Sequence, residues 1–394
     1  MFIRARHYRT DQLIDVSIHS AHIETIAPAN IAVKPDLQVD YVSPAYFDLQ
    51  INGGLGVNLT SVRLSLPEIE KVIETCAIHG IAAFCPTVIT AHASTIISAF
   101  TALRQACENS AELNEAMPCF HLEGPFISAE DGPRGAHPRE HVQPVNYELF
   151  QRWQEAAGGR IKLLTLAPEV PGAIKLIEQL VKADIIVALG HSAGPPTAIR
   201  DGILAGARLS THLGNGCGRM IPRHDNVLWE QLAADELMAS VITDGHHLPW
   251  NLVQNIIRCK TLERIIVTCD ASPLAGLAPG RYDVWGQTVI ISDEGKIVLA
   301  EQGVLAGSWE FTSRCMEKLM KAQRLSYQQA HPLAADHPRR LLGLPVSGLH
   351  EGEVANLLLL RQSPSGLLIQ TQSYIRGKLL TRPAIAERCA GEEC

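Results

Sequence analysis

The feature that most constrains this chain is an eightfold alternation. Short apolar runs at Tyr46–Ile51, Ala82–Val88, Cys119–Leu122, Ile161–Leu166, Ile185–Leu189, Arg208–Thr211, Ser240–Thr243 and Ile265–Cys269 alternate with amphipathic helical patterns. The helical patterns are Leu66–His79, Ala93–Cys107, Tyr147–Ala157, Gly172–Lys182, Pro196–Ala205, Trp229–Glu236 and Leu252–Arg258, with Glu310–Ala322 and Tyr327–Leu342 following the last run. Strand–helix repetition implies parallel pairing with helices packed outside. The pattern predicts an α/β fold, a (β/α)8 TIM-like barrel. A doubly wound open sheet is the competing architecture. The barrel is preferred because polar residues follow so many different strands, and a closed barrel gathers those strand ends around one mouth.

The flanks have another style. Residues 1–45 hold short β-prone pieces (Met1–Ala5, Leu13–Ile18, His22–Ala27), and residues 352–394 resume them (Val354–Leu360, Leu367–Gln372, Tyr374–Leu380). This predicts a small β-sandwich domain formed by both termini, with the barrel of residues 46–351 inserted between its halves. A length of 394 residues suits one large and one small domain. Apolar content of 46% and charged content of 19% fit a well-packed enzyme and not a disordered chain. A net charge of −7 argues against nucleic-acid binding. The first residues lack a signal-peptide core, and no apolar run reaches the length of a membrane span. The ten cysteines form no CxxC pair, which argues against a thiolate zinc site and for a reduced, cytoplasmic setting. Several sit in apolar runs and read as buried thiols, whereas Cys389 and Cys394 fall in a polar tail and are expected to be exposed.

Four of the runs end at residues that can do chemistry. Glu123 closes His121-Leu122-Glu123-Gly124-Pro125, His191 follows the fifth run, His212 the sixth and Asp270 the eighth. Two imidazoles and a carboxylate suit Zn²⁺ and leave a position for water, and Fe²⁺, Mn²⁺ or Co²⁺ accept the same ligands. Taken singly, His191 reads equally well as a helix-entry residue and Glu123 as an exposed strand end; three such residues after three strands favour the metal. Asp270, among apolar neighbours, is positioned to take a proton from water and pass it to a leaving group. Gln50 and Asn52, at the end of the first run, are expected to act as hydrogen-bonding amides, since amides are poor ligands for a second metal. His137 and His247 lie on loops after strands and are candidates for substrate contact, whereas His121 is expected to pack within its strand. The loop from His212 through Asn215 and Gly216 to Arg219 is rich in glycine and can bring backbone N–H groups near an anion, with Arg219 and Arg223 as charged partners.

These motifs resemble the N-acetylglucosamine-6-phosphate deacetylase family of the amidohydrolase superfamily. The resemblance spans Pro44 to Leu360 and rests on Phe47-Asp48-Leu49-Gln50-Ile51-Asn52-Gly53, His121 to Phe126, Gly190-His191-Ser192, Thr211-His212-Leu213 with Asn215, Asp244-Gly245 with His247, Asp270-Ala271, and Leu305-Ala306-Gly307-Ser308. It implies one catalytic divalent metal on Glu123, His191 and His212, with Asp270 as base and then acid. It further implies that His137 polarises the amide carbonyl, that His247 and Asn215 hold the sugar phosphate, and that Arg223 reaches the phosphate bound in a neighbouring subunit of a homodimer. Gln50-x-Asn52 is similar to the single-metal branch. The chain departs from the family at Asn215-Gly216-Cys217 and at Arg223-His224-Asp225-Asn226, where sugar and phosphate are expected. The expected reaction is hydrolysis of N-acetylglucosamine 6-phosphate. The alternatives are another N-acyl amino sugar or N-acyl amino acid, or a non-catalytic sugar-binding protein on the same scaffold.

Overall fold

In the computed structural model, residues 1–383 are described. Cys389 and Cys394 lie outside the described residues. Eight parallel strands run in the order β8-β7-β6-β5-β4-β3-β2-β1: β1 Tyr46–Ile51, β2 Ile81–Ile89, β3 Phe120–Glu123, β4 Ile161–Leu166, β5 Ile186–Leu189, β6 Leu209–Ser210, β7 Met238–Ile242 and β8 Ile265–Thr268. A parallel bridge from Ile51 to Ala271 all but closes the ring between β1 and β8. The chain thus forms the expected barrel, and helices follow the strands. Several helices start on side-chain caps. Ser65 and Glu68 form a capping box before Leu66–Ile78, and Asn146 and Asn226 cap Tyr147–Ala156 and Val227–Ala233.

The barrel interior is layered. The lowest layer is apolar: Phe47, Leu49, Ala83, Cys85, Cys119, Leu163, Ala188, Leu209 and Ile266, closed off by Leu341, Leu342 and Leu344. Above it runs a hydrogen-bonded polar layer, Thr87 Oγ1 to His121 Nδ1 (3.3 Å), His121 Nε2 to Thr165 Oγ1 (2.9 Å) and Thr165 Oγ1 to Thr211 Oγ1 (2.7 Å). His121 is therefore a packed, satisfied side chain. Burial pushes its pKa down to about 4, so it stays neutral. Glu123 is two residues further up the same strand, so period-2 geometry puts it on the same inner face, at the mouth.

Both termini build one seven-stranded sheet, in the spatial order Lys378–Thr381, Leu368–Ile375, Leu357–Gln362, Leu37–Pro44, Phe2–His7, Leu13–His19, His22–Pro28. Leu357–Leu360 pair antiparallel with Tyr41–Pro44, which joins the two halves of the chain. Arg4 and Asp15 form a buried bidentate ion pair across the first hairpin (2.7 and 2.9 Å).

Three local expectations differ from the structure. The helical pattern Tyr327–Leu342 is two helices, Tyr327–Ala334 and Asp336–Leu341, because the ring of Pro338 collides with the carbonyl four residues back. The pieces Leu367–Gln372 and Tyr374–Leu380 redistribute into the strand Leu368–Ile375 and the strand Lys378–Thr381. After β8 the chain inserts a three-stranded antiparallel sheet, Gly280–Val284, Gln287–Ile291 and Ile297–Leu299, which the sequence analysis passed over. Its inner residues Val289, Ile291, Ile297 and Leu299 pack with Leu274 and Ala306 as a small separate core.

Candidate metal and catalytic site

Glu123 Oε1 lies 3.2 Å from His191 Nε2 and 3.0 Å from His212 Nε2, and the two imidazole nitrogens are 3.1 Å apart. All three residues are buried. The far nitrogen of His191, Nδ1, meets the carbonyl of Pro133 at 2.8 Å, which fixes a proton there and leaves the Nε2 lone pair facing the cluster. His212 Nδ1 has no protein partner. Three ligand atoms converging in so small a space are poorly satisfied by one another and well satisfied by a cation, so this set fits a divalent metal.

Backbone geometry brings these side chains together. His191, His212 and Asp270, each just past its strand, have φ of 52°, 31° and 52°. This left-handed turn is unfavourable for non-glycine residues, at about 1–3 kcal/mol each. It lifts each side chain out of the strand direction and over the mouth. Gly216 (φ 58°) has to be glycine for a related reason: a Cβ there would lie 2.9 Å from His191 Nδ1.

Asp270 Oδ1 accepts hydrogen bonds from Gln50 Nε2 (2.9 Å) and Asn52 Nδ2 (2.6 Å), which gives the two amides of β1 their role as donors. They reach Asp270 because the pairing of β1 with β2 shifts register between Asp48 and Ile51. Leu49 still faces the barrel interior, whereas Ile51 joins the outer core, so the strand changes phase as a bulge does. Burial first and the charge of Glu123 second push the Asp270 carboxyl up to about 7. Beneath it, Asp48 accepts from Gln50 N, Cys269 N, Thr268 Oγ1 and Thr312 Oγ1 (2.9, 2.9, 2.5 and 2.5 Å), tying β1 to β8 where the ladder is weakest.

The cluster opens into a cavity of ≈ 340 Å³ that Asn52, His137, Asn215, Gly216, His247 and Asp270 all line. His137 stands 3.8 Å from Glu123 Oε2 through Nε2, with Nδ1 on Thr90 Oγ1 at 2.8 Å; burial drives its pKa to about 3, so it is neutral. His247 Nδ1 meets Asp244 Oδ2 at 2.8 Å. Burial alone would lower the pKa of His247, but the Asp244 carboxylate outweighs it and raises the value, which favours an imidazolium facing the cavity. Arg219 also lines the cavity, with its guanidinium on the carbonyl of Gln302 (3.0 Å). Arg223 does not line it: this residue is exposed, and its carbonyl accepts from Trp229 Nε1. Sequence reasoning missed Trp285 and Lys296, both in connections between strands of the inserted sheet and both lining the cavity. The signal for Trp285 was the two-residue Trp285-Gly286 turn between two alternating segments.

No protein-family model matches the chain. Among curated proteins it is 31% identical over 352 residues to the N-acetylglucosamine-6-phosphate deacetylase of Homo sapiens, covering 86% of this chain and 83% of that one. It is 28% identical over 387 residues to the N-acetylgalactosamine-6-phosphate deacetylase of Escherichia coli O157:H7, covering 96% and 98%. Among solved structures, N-acetyl-D-glucosamine-6-phosphate deacetylase from Mycobacterium smegmatis superposes with a TM-score of 0.86 over 97% of this chain and 100% of that one, at 24% identity, a likeness of fold.

Proposed function

The chain belongs to the N-acetylglucosamine-6-phosphate deacetylase family of the amidohydrolase superfamily, and we propose that it hydrolyses N-acetylglucosamine 6-phosphate to glucosamine 6-phosphate and acetate. The observation that carries this reading is the buried Glu123–His191–His212 cluster opening beside Asp270 into a cavity with basic groups at its edge. We assign the cation of that cluster as Zn²⁺, held by the two Nε2 atoms and the Glu123 carboxylate. When bound, such an ion acts as a Lewis acid towards water and an amide carbonyl.

The chain's own residues supply the proton transfers. Asp270, ionised and oriented by Gln50 and Asn52, takes a proton from the attacking water. The water oxygen bonds to the acetyl carbon, and His137, carrying its proton on Nε2, donates to the oxygen that becomes negative. Asp270 then returns its proton to nitrogen as the C–N bond breaks, leaving acetate and the free amino sugar. A carboxyl whose burial keeps its proton affinity near neutrality is suited to both steps.

Charge at the cavity supports an anionic substrate. His247, Arg219 and Lys296 offer cationic groups there, and Asn215 and Gly216 line the same wall. Arg223 points elsewhere, so its contact with a bound phosphate requires the cavity of a second copy, as in a homodimer of a cytoplasmic enzyme. N-acetylgalactosamine 6-phosphate is the second reading, favoured by the full-length likeness to the Escherichia coli protein. Acetate release from both epimers, each with and without the 6-phosphate, tests the assignment. Fastest turnover of phosphorylated N-acetylglucosamine supports it. Equal or faster turnover of the unphosphorylated sugars, or of the galacto epimer, overturns it.

A further inference from the structure

Thr90 is the first residue after β2, and register fixes its neighbour. Ile89 stands opposite Glu123, so Thr90 comes to lie beside Gly124. Gly124 has φ of 75°, and a Cβ there would overlap Thr90 Oγ1, so the hydroxyl fills space that glycine leaves open. Thr90 is buried, and among the described residues its hydroxyl meets one side-chain partner, His137 Nδ1 at 2.8 Å. The opposite end of that imidazole faces the metal cluster. Nε2 stands 3.8 Å from Glu123 Oε2, and the ring meets the His191 ring edge-on, with centroids 4.4 Å apart. A buried hydroxyl proton needs an acceptor, and an imidazole with one proton offers one nitrogen as acceptor and the other as donor. The hydrogen bond made by one ring nitrogen therefore decides what the other carries. The backbone around His137 is held separately: Arg134 Nη1 donates to the His137 carbonyl (2.6 Å) and Gln287 Nε2 to that of Ala136 (3.1 Å).

We propose that Thr90 is a positioning residue: its hydroxyl donates to His137 Nδ1, which places the imidazole proton on Nε2 and turns that N–H toward the reacting carbonyl. The inference rests on the deacetylase reading, in which His137 donates to the oxygen that becomes negative. With the proton on Nδ1 instead, a lone pair on Nε2 would face both the Glu123 carboxylate and the developing negative charge, and the donor would be lost. Thr90 itself touches neither substrate nor metal ligand atoms in this arrangement and acts through one imidazole. The same geometry gives Gly124 its reason, since the hydroxyl needs the room that a side chain would take.

The test measures acetate release from N-acetylglucosamine 6-phosphate by metal-loaded wild type, Thr90→Val, Thr90→Ser, His137→Ala and the double variant Thr90→Val/His137→Ala. Thr90→Val keeps the branched shape and removes the hydroxyl. It is expected to lower kcat by roughly tenfold with KM and metal content unchanged. Thr90→Ser keeps the hydroxyl and is expected to stay near wild type. In the His137→Ala background Thr90→Val is expected to cost nothing further, because its route to the reaction is gone. Nitrogen-15 NMR of histidine-labelled wild type, loaded with zinc, reads the tautomer directly, whether or not the variants fold. A proton on Nε2 of His137 supports the inference, and a proton on Nδ1 overturns it. It is also overturned if Thr90→Val matches wild type, if Thr90→Ser loses as much as Thr90→Val, or if the loss persists undiminished without His137; the deacetylase reading stands in each of these cases. If wild type releases no acetate from the sugar, the deacetylase reading fails and takes the inference with it.

Discussion

At the residue scale, Asp270 and His247 make separable predictions. Asp270→Asn keeps the shape and the hydrogen bonds of the amides but cannot accept a proton. It is expected to lower kcat by about 10²–10⁴-fold in steady-state acetate release, with metal content unchanged. Wild-type kcat/KM is expected to fall with acidification, because the base must be ionised. The midpoint lies near the value of about 7 to which burial raises Asp270, or lower where a cation draws it down, and the limb is expected to vanish in the variant. For His247 the sign is opposite. Its folded pKa is raised by Asp244, so the charge, and the ion pair's contribution to stability, is complete below the ordinary histidine value and is lost as pH rises through the raised one. KM for a phosphorylated substrate is therefore expected to climb with pH in wild type and to be high and flat in His247→Gln. The four residues at the centre were legible in the sequence because each is the first chemical group after an apolar run. Lys296 and Trp285 were harder to find, since a cavity wall gathers side chains from loops with no periodicity.

At the element scale, the seam between β1 and β8 is the vulnerable part of the barrel. Asp48 stands in for a missing ladder there, accepting from four donors contributed by β1, by Thr268 and Cys269, and by the helix Thr312–Gln323. Asp48→Ala leaves buried donors unpaired and is expected to cost about 3 kcal/mol in urea denaturation, with a parallel loss of activity because Asp270 follows directly from that seam. A change below about 0.5 kcal/mol, the level of an ordinary surface substitution, contradicts this account. Barrel strands and helices were readable because their apolar residues recur with period and continuity. The inserted sheet was not, because Val289 and Ile291 alternate with half-buried residues over short spans, a weaker signal than an unbroken run. The register shift in β1 was equally hidden, although Gln50 and Asn52 could already be assigned to one face.

At the scale of the whole molecule, the termini act as one element. Leu357–Gln362 pairs with Leu37–Pro44 on one side and Leu368–Ile375 on the other, and Leu357, Leu358, Leu359 and Leu360 are all at 0–1% exposure. A chain ending at Leu349 therefore loses three strands and bares a core edge; it is expected to be insoluble or to aggregate on expression, as seen by size-exclusion chromatography. This coupling across the sequence was visible as a recurrence of β-prone pieces at both ends, whereas the order of the seven strands was not. Glu123, His191 and His212, drawn from three different strand ends, are proposed to share a single divalent cation that the activity requires. Elemental analysis of dialysed protein, wild type beside His191→Gln, tests it most directly. One equivalent of divalent metal per wild-type chain is expected and almost none in the variant, with acetate release lost in step. A wild-type chain that retains no metal yet still releases acetate, or a variant that keeps the full equivalent, would contradict it.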